Sequence, residues 1–432
     1  MPVLAINGGE PTMSPNENKV WPPINRTDER MVLASLHNPK HAWGPNCVAL
    51  EQEWAQWNGN RFACATNSGT AALHMGVAAV GCAAGDEVIT TAFSWTSSGT
   101  CILHHNAIPV FVDIDFATMN IDATKVEAAI SERTRAILPV HLHGLPADMD
   151  AILAIARRHK LAVIEDACQA HGALYKGKKV GTLGDCAAFS LNQNKMLSAG
   201  EGGIFVTDRE ELNRQARALM SFGEFTPPHG DRDFHSYAMG WMYRTSDLAA
   251  AFARAQLTRL DRLIARTRQL VAAADAILRG TPGLILPVTP DSCVPNGYNY
   301  TLRLDPPALS WHDSPRRFRD AFVRAVRAEG AQVGMWQTWL LPEMTVFQAK
   351  NGYGRGCPWN CPSARPVNYD PAQFPQAKRH VDTYFILTGL RPPMTLASAR
   401  RTARAVRKVI ENIRELDVDK ILAPAKKERL RA

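Results

Sequence analysis

Between about residue 65 and residue 207 the chain alternates short apolar runs with amphipathic stretches, and few folds accommodate that rhythm. TAALHMGVAAVG has helical spacing, EVITT reads as a strand, and PVFVDI as another. DATKVEAAI offers Asp122 as an N-cap ahead of helically spaced apolar residues. RAILPV then reads as a strand, MDAILAIARRHK as a helix and LAVIED as a strand, with DCAAFSL and GIFVTD as two more. Strands that are apolar throughout and separated by helices predict an α/β fold whose mainly parallel sheet is covered on both faces. In such sheets ligands gather at the carboxyl ends of the strands.

The remainder of the 432 residues exceeds what one ordinary core needs, so two domains are expected. A long helical pattern runs from about Ser246 to Leu278 and is interrupted by PGLILPV and PVTPDSCVP. NYTLRL, the helix SPRRFRDAFVRAVRAEG, the strand AQVGMW and a closing helix from about Leu396 to Leu416 predict a smaller α+β unit. The expected division is an N-terminal arm over 1–45, a large α/β domain over 46–263 and a small C-terminal α+β domain over 264–432.

Several function classes fall away. No apolar run approaches the roughly 18 to 20 residues of a membrane helix. MPVLAINGGEPTM lacks the charged and apolar regions of a secretory signal, which makes cytoplasm the default. Lysine and arginine number 49 against 41 acidic residues, but they are dispersed along helices apart from the tail KKERLRA. No nucleic-acid-binding motif accompanies them, so a solvated surface accounts for the charge. Of nine cysteines, Cys64, Cys82, Cys101 and Cys186 sit in small or apolar runs and read as buried thiols. Cys357 and Cys361 lack a second ligand pair at zinc spacing, and His141 and His143 lack a third ligand. All four are expected to be structural, with no metal.

Four stretches carry chemistry. SLNQNKMLSAGEGG places the single Lys195 between two strands, followed by Gly200, Gly202 and Gly203. A solvated hairpin lysine is the ordinary reading; an amine nucleophile held close to a ligand by glycine-rich backbone is the chemical one. NSGTAAL sets Ser68, Gly69 and Thr70 where a helix begins, and free N–H groups there favour phosphate. FSWTSS presents Trp95 after a strand, either as core or as a flat ring for stacking. In LAVIEDACQAHG, Glu165 and Asp166 close an apolar strand, and alternation sends only one of them into a site. A buried carboxylate there calls for a cation, which a protonated pyridine nitrogen supplies, and Gln169 stands within reach of the same ring. A phosphate turn, a stacking plate, a strand-end carboxylate and an amine together match the needs of pyridoxal 5'-phosphate.

NSGTAAL, EDACQAHG and FSLNQNKMLSAGEGG, with GGEP near the start and FPQAKRHVDTYFILTGLRPPMT near the end, give the chain its resemblance to a known group. It resembles the DegT/DnrJ/EryC1/StrS family of pyridoxal-phosphate-dependent sugar and cyclitol aminotransferases, of fold type I. The resemblance implies that Gly69, Thr70 and Ser190 hold the cofactor phosphate and that Trp95 stacks on the ring. It implies that Asp166 pairs with the pyridine nitrogen, that Gln169 lies near the phenolic oxygen and that Lys195 carries the cofactor covalently and acts as base. Many members reach the phosphate of the neighbouring subunit with an asparagine before Tyr-Arg. This chain reads GWMYRTSDL there, with Met242 in that place and Tyr243 and Arg244 left as candidates. The implied protein is a homodimer with shared active sites. The implied reaction moves an amino group from glutamine or glutamate to a keto-cyclitol or keto-sugar, as in antibiotic biosynthesis. A nucleotide-sugar aminotransferase, an aminohydroxybenzoate-type synthase and a non-enzymatic regulator of the same fold are the alternatives.

Overall fold

The computed structural model describes residues 3–14, 17–18, 20–225 and 234–423; the basic tail KKERLRA lies outside the described residues. A seven-stranded sheet forms the centre, in the order Phe62–Thr66, Gly203–Thr207, Cys186–Ser190, Ala162–Asp166, Thr134–Leu138, Glu87–Thr91, Ile108–Val112. The last five strands in that order pair in parallel, while Gly203–Thr207 runs antiparallel to both of its neighbours. It returns from Cys186–Ser190 through the turn that holds Lys195, so that turn sits at the carboxyl edge of the parallel strands.

Strand residues are buried on both faces because each face meets helices. Cys64, Val88, Leu138, Ile164 and Ala188 enter one core with the helices Gly69–Ala79, Ser97–Leu103 and Glu210–Met220. Their neighbours in sequence point the other way. Ala63, Ala65, Ala187 and Phe189 meet the helices Pro45–Asn58 and Asp247–Leu257, while Ile89, Ile137 and Val163 meet Met149–His159. Successive side chains thus fill opposite cores, as a period of two requires.

The pattern from Ser246 to Leu278 is two helices, Asp247–Leu257 and Leu260–Leu278. The ladder breaks at Thr258 and Arg259, and Arg259 is buried against Asp28 of the N-terminal segment at 2.6 Å. Apolar spacing continues across the break, so periodicity alone runs the two together. The boundary expected between residues 263 and 264 falls inside the second helix. Leu260 and Ile264 pack into the large core, and Leu270, Ala274 and Leu278 into a separate one. That separate core lies on an antiparallel four-stranded sheet in the order Leu284–Ile285, Tyr300–Leu304, Tyr384–Leu387, Val333–Gly334. The helices Pro315–Ala328 and Leu396–Glu411 cover it. The first 45 residues, expected as an arm, give Leu4 and Met13 to this core and form the helix Arg26–Leu36.

Candidate active site

A cavity of about 620 Å³ opens at the carboxyl edge of the large sheet, where the fold predicts a ligand. Gly69, Thr70, Trp95, Asp166, Gln169, Ser190 and Lys195 all line it. Arg244 does not line the cavity of its own chain.

The phosphate end is a helix start. Ser68 is the N-cap of Gly69–Ala79, and its hydroxyl accepts from the Ala71 N–H at 3.1 Å. The first-turn N–H groups therefore open toward the cavity, at the positive end of the helix. Residue 69 must be glycine, because a Cβ there would lie 2.8 Å from the Ser190 Cβ and 3.0 Å from the Cys168 sulfur. The Thr70 and Ser97 hydroxyls are 2.7 Å apart, so one donates to the other and the remaining O–H is a further donor at the same end.

Trp95 is 51% exposed, so it is no core tryptophan. Its ring stands beside the cavity, 5.8 Å from that of Trp336, with the planes 39° apart. Gln169 accepts the His143 N–H at 2.9 Å through Oε1, so the group it offers the cavity is its N–H₂.

The two strand-end carboxylates face opposite ways. Asp166, 4% exposed, lines the cavity and accepts from the Ser98 hydroxyl at 2.7 Å and the Cys168 N–H at 3.2 Å. Among the described residues no lysine, arginine or histidine pairs with it. Glu165 on the far face is fully satisfied: it accepts from Gly181, Leu183 and Gly184 N–H groups at 2.8, 2.8 and 2.7 Å, and from His141 Nε2 at 2.9 Å. Burial would raise its pKa, but the hydrogen bonds from His141, Gly181 and Gly184 outweigh it and hold the carboxyl below the usual value. Because the Ala147 N–H donates to His141 Nδ1 at 3.0 Å, Nε2 carries the proton given to Glu165.

Lys195 lies in the turn between two strands, with its ammonium nitrogen 5.0 Å from the centre of the Tyr298 ring and no carboxylate partner among the described residues. Its main chain is gripped from outside the large domain. Trp21 Nε1 donates to the Lys195 carbonyl at 3.1 Å, and Arg391 donates to the Asn194 carbonyl at 2.8 Å. Nearby, His143 and His171 are held down to about 3, by burial first and then by the charge of Lys195, so both stay neutral. His141 is fully partnered, as expected. His143 is only half so: Nδ1 faces Asn299 Nδ2 at 3.2 Å, but Nε2 is buried without a partner.

Sequence reasoning missed Arg391, Tyr298 and Trp336, which also line the cavity. Arg391 has no carboxylate partner among the described residues, and burial brings its pKa down to about 10. It occurs in GLRPP, a coil with no periodicity, so only the quoted resemblance near the C-terminus drew attention to that stretch. The four early cysteines are buried thiols, and burial pushes Cys64 and Cys82 up to about 12. Among the described residues no three histidine, cysteine or acidic side chains gather as metal ligands. No helix among them is long and apolar enough to cross a membrane.

The donors fit pyridoxal phosphate: a phosphate-seeking helix start, an exposed flat ring, a buried carboxylate that lacks a cation, and a free amine. The fold and this constellation define a pyridoxal-phosphate-dependent transferase of fold type I. The chain belongs to the DegT/DnrJ/EryC1/StrS aminotransferase family, whose model matches residues 22–364. It is similar to the GDP-perosamine synthase of Caulobacter vibrioides, 44% identical over 52% of this chain, a match that spans 59% of that protein. It is 38% identical to the L-glutamine:2-deoxy-scyllo-inosose aminotransferase of Streptomyces lividus, over 70% of this chain and 74% of that one. The X-ray structure of S. venezuelae DesV in complex with a ketimine intermediate superposes with a TM-score of 0.77, at 30% identity over 89% of this chain and 94% of that one.

Proposed function

We propose that this aminotransferase moves the amino group of glutamine or glutamate onto a keto-sugar or keto-cyclitol. The observation that carries the reading is that Lys195 and Asp166 line a single cavity and that, among the described residues, the amine has no acidic partner and the buried carboxylate no basic one. The names of the Caulobacter and Streptomyces relatives support an amino-sugar or cyclitol product. When bound, the cofactor supplies an electron sink that lets the donor's Cα–H bond break.

In this reading each residue has a definite task. Gly69, Thr70 and Ser190 hold the phosphate, and Trp95 covers one face of the ring. Asp166, fixed by Ser98 and Cys168, keeps a proton on the ring nitrogen. Gln169, its amide oriented by the His143 N–H, donates from its N–H₂. Lys195 Nζ attaches the cofactor and, once released, carries the proton between the two carbons of the amine-transfer step.

We further propose a homodimer in which Arg244 serves the partner's site. Residues 242 and 243 are clamped to their own chain: Asn67 Nδ2 donates to the Met242 carbonyl at 3.3 Å, Asn67 N–H donates to the Tyr243 carbonyl at 2.7 Å, and the Tyr243 hydroxyl meets His74 Nδ1 at 3.0 Å. Arg244 is thereby kept away from its own cavity, with Nε buried and unpartnered. Met239 and Met242, 78% and 50% exposed, flank it as apolar surface suited to a second copy.

The test is transfer of ¹⁵N from α-labelled glutamine to a panel of keto-sugars and keto-cyclitols, read by mass spectrometry. Labelled amino product is expected. Label in no product, with an aromatic compound released from an aminocyclohexenone acceptor, would favour the synthase reaction.

A further inference from the structure

The Lys195 amine meets an aromatic face. Its Nζ lies over the Tyr298 ring, 5.0 Å from the ring centre, within the reach of a cation–π attraction. The two carboxylates that line the cavity are engaged elsewhere: Asp166 accepts from Ser98 and Cys168, and Glu201 Oε1 accepts from Asn192 Nδ2 at 2.8 Å. Of the other titratable groups around the amine, burial keeps the His143 and His171 imidazoles and the Cys168 thiol neutral, and Arg391 is a second cation.

The ring is fixed by contacts that do not involve Lys195. Tyr298 is 8% exposed and packs with Phe189, Leu191, Met196 and Leu197 of the large domain's core. One buried amide sets its place. Tyr298 N–H donates to Asn296 Oδ1 at 2.8 Å, while Asn296 Nδ2 donates to the Gln169 and His171 carbonyls at 2.9 and 3.2 Å. The Asn296 N–H donates to the Gly144 carbonyl at 3.1 Å. Gly144 has a φ of +87°, and a Cβ there would stand 1.9 Å from Asn296 Oδ1, so the close approach requires glycine. The ring is thereby tied to the segment that presents Gln169, and its hydroxyl takes no part in the anchoring.

A carboxylate in the ring's position would form an ion pair and hold a proton on the amine. An aromatic face attracts an ammonium through its quadrupole but offers no lone pair to compete for the proton. That suits a group that must release and regain a proton from one place. We propose that Tyr298 is a positioning residue whose ring face seats the Lys195 amine whenever that amine is free of the cofactor. This rests on the aminotransferase reading above and adds to it the residue that orients the proton carrier.

The experiment labels the full-length, cofactor-free protein with acetic anhydride across a pH series. Mass spectrometry follows the peptide bearing Lys195, with the exposed Lys178 as internal reference. Four proteins are compared: wild type, Y298F, Y298L, and one with pentafluorophenylalanine at position 298, which reverses the ring quadrupole at nearly unchanged shape. Y298F is expected to keep the wild-type labelling midpoint of Lys195. Y298L and the fluorinated protein are each expected to bring it down by roughly 0.5 to 1.5 pH units, with Lys178 unmoved. The fluorinated ring preserves the packing, so the prediction stands open to refutation even if Y298L does not fold. A fluorinated protein with the wild-type midpoint overturns the proposal. So does a Y298F profile that moves as far as that of Y298L, which would assign the effect to the hydroxyl. Separately, glutamine should convert the visible cofactor band of the loaded wild-type enzyme. Absence of that conversion would sink the aminotransferase reading and leave the ring's hold on the amine to be judged by the labelling.

Discussion

Exchanging the two strand-end carboxylates for their amides, one at a time, separates catalysis from stability. In Glu165→Gln the side chain keeps one acceptor oxygen. If it replaces Oε1, the Leu183 and Gly184 N–H groups stay bonded, and the new N–H₂ confronts the Gly181 N–H and the proton on His141 Nε2. The opposite orientation loses the other pair. His141 cannot turn its ring into an acceptor, because Nδ1 is committed to the Ala147 N–H. Two buried donors are stranded either way, at about 1–3 kcal/mol each, so the variant loses about 2–6 kcal/mol. That is a large share of the roughly 5–15 kcal/mol that stabilises a typical domain.

Asp166→Asn differs in both respects. Its remaining oxygen still accepts from Cys168, and its N–H₂ can donate to the Ser98 hydroxyl oxygen, so stability changes by about 1 kcal/mol or less. The lost charge is what matters. A carboxylate beside a cation favours the charged form by about 1–3 pKa units, so the donor half-reaction slows roughly 10- to 1000-fold. Urea unfolding followed by circular dichroism reads the first quantity. Single-turnover absorbance with glutamine, normalised to folded protein, reads the second. A Glu165→Gln enzyme that is stable but slow, with Asp166→Asn at the wild-type rate, would refute the assignment of faces.

Borohydride reduction of the cofactor-loaded enzyme is expected to fix the label to the peptide bearing Lys195; label on Lys176 or Lys178 instead would move the attachment site. Burial, helped by neighbouring histidines at His74 and by Lys195 at His143 and His171, holds these three imidazoles down to about 3. The unfolded chain binds their protons more readily, so stability is fully present above about pH 6.5 and falls below it, by up to about 1.4 kcal/mol per pH unit for each ring. His171→Phe is expected to reduce that slope by one ring's share in urea titrations at pH 7.5, 6 and 5, and an unchanged slope would count against a neutral His171. Lys195→Ala and Arg244→Ala homodimers are each expected to be nearly inactive and, after subunit exchange, to recover about a quarter of wild-type activity, since half the dimers are mixed and each has one intact site. No recovery despite proven exchange would return Arg244 to its own subunit.

The parts of the site legible from the chain share one property: each lies at the end of a strand or within five residues after it. Thr66 leads to Ser68 and Gly69, Thr91 to Trp95, Asp166 to Gln169, and Ser190 to Lys195. Parallel strands in one sheet finish at one edge, so four motifs spread over some 130 residues of sequence need no long-range information to converge. Arg391, Tyr298 and Trp336 obey no such rule. They come from connections flanking the strands of the second sheet, one of them as short as Val333–Gly334 within the apolar run AQVGMW, and Tyr298 and Trp336 pack against the cores of the large domain. The Lys195 turn shows why the distinction matters. Its glycines and strands are local, but what grips its carbonyls, Trp21 from 174 positions before Lys195 and Arg391 from 197 after Asn194, is tertiary. Chemistry carried by strand ends can therefore be read from sequence, whereas the cation that steadies the Lys195 turn, Arg391, enters from the other domain.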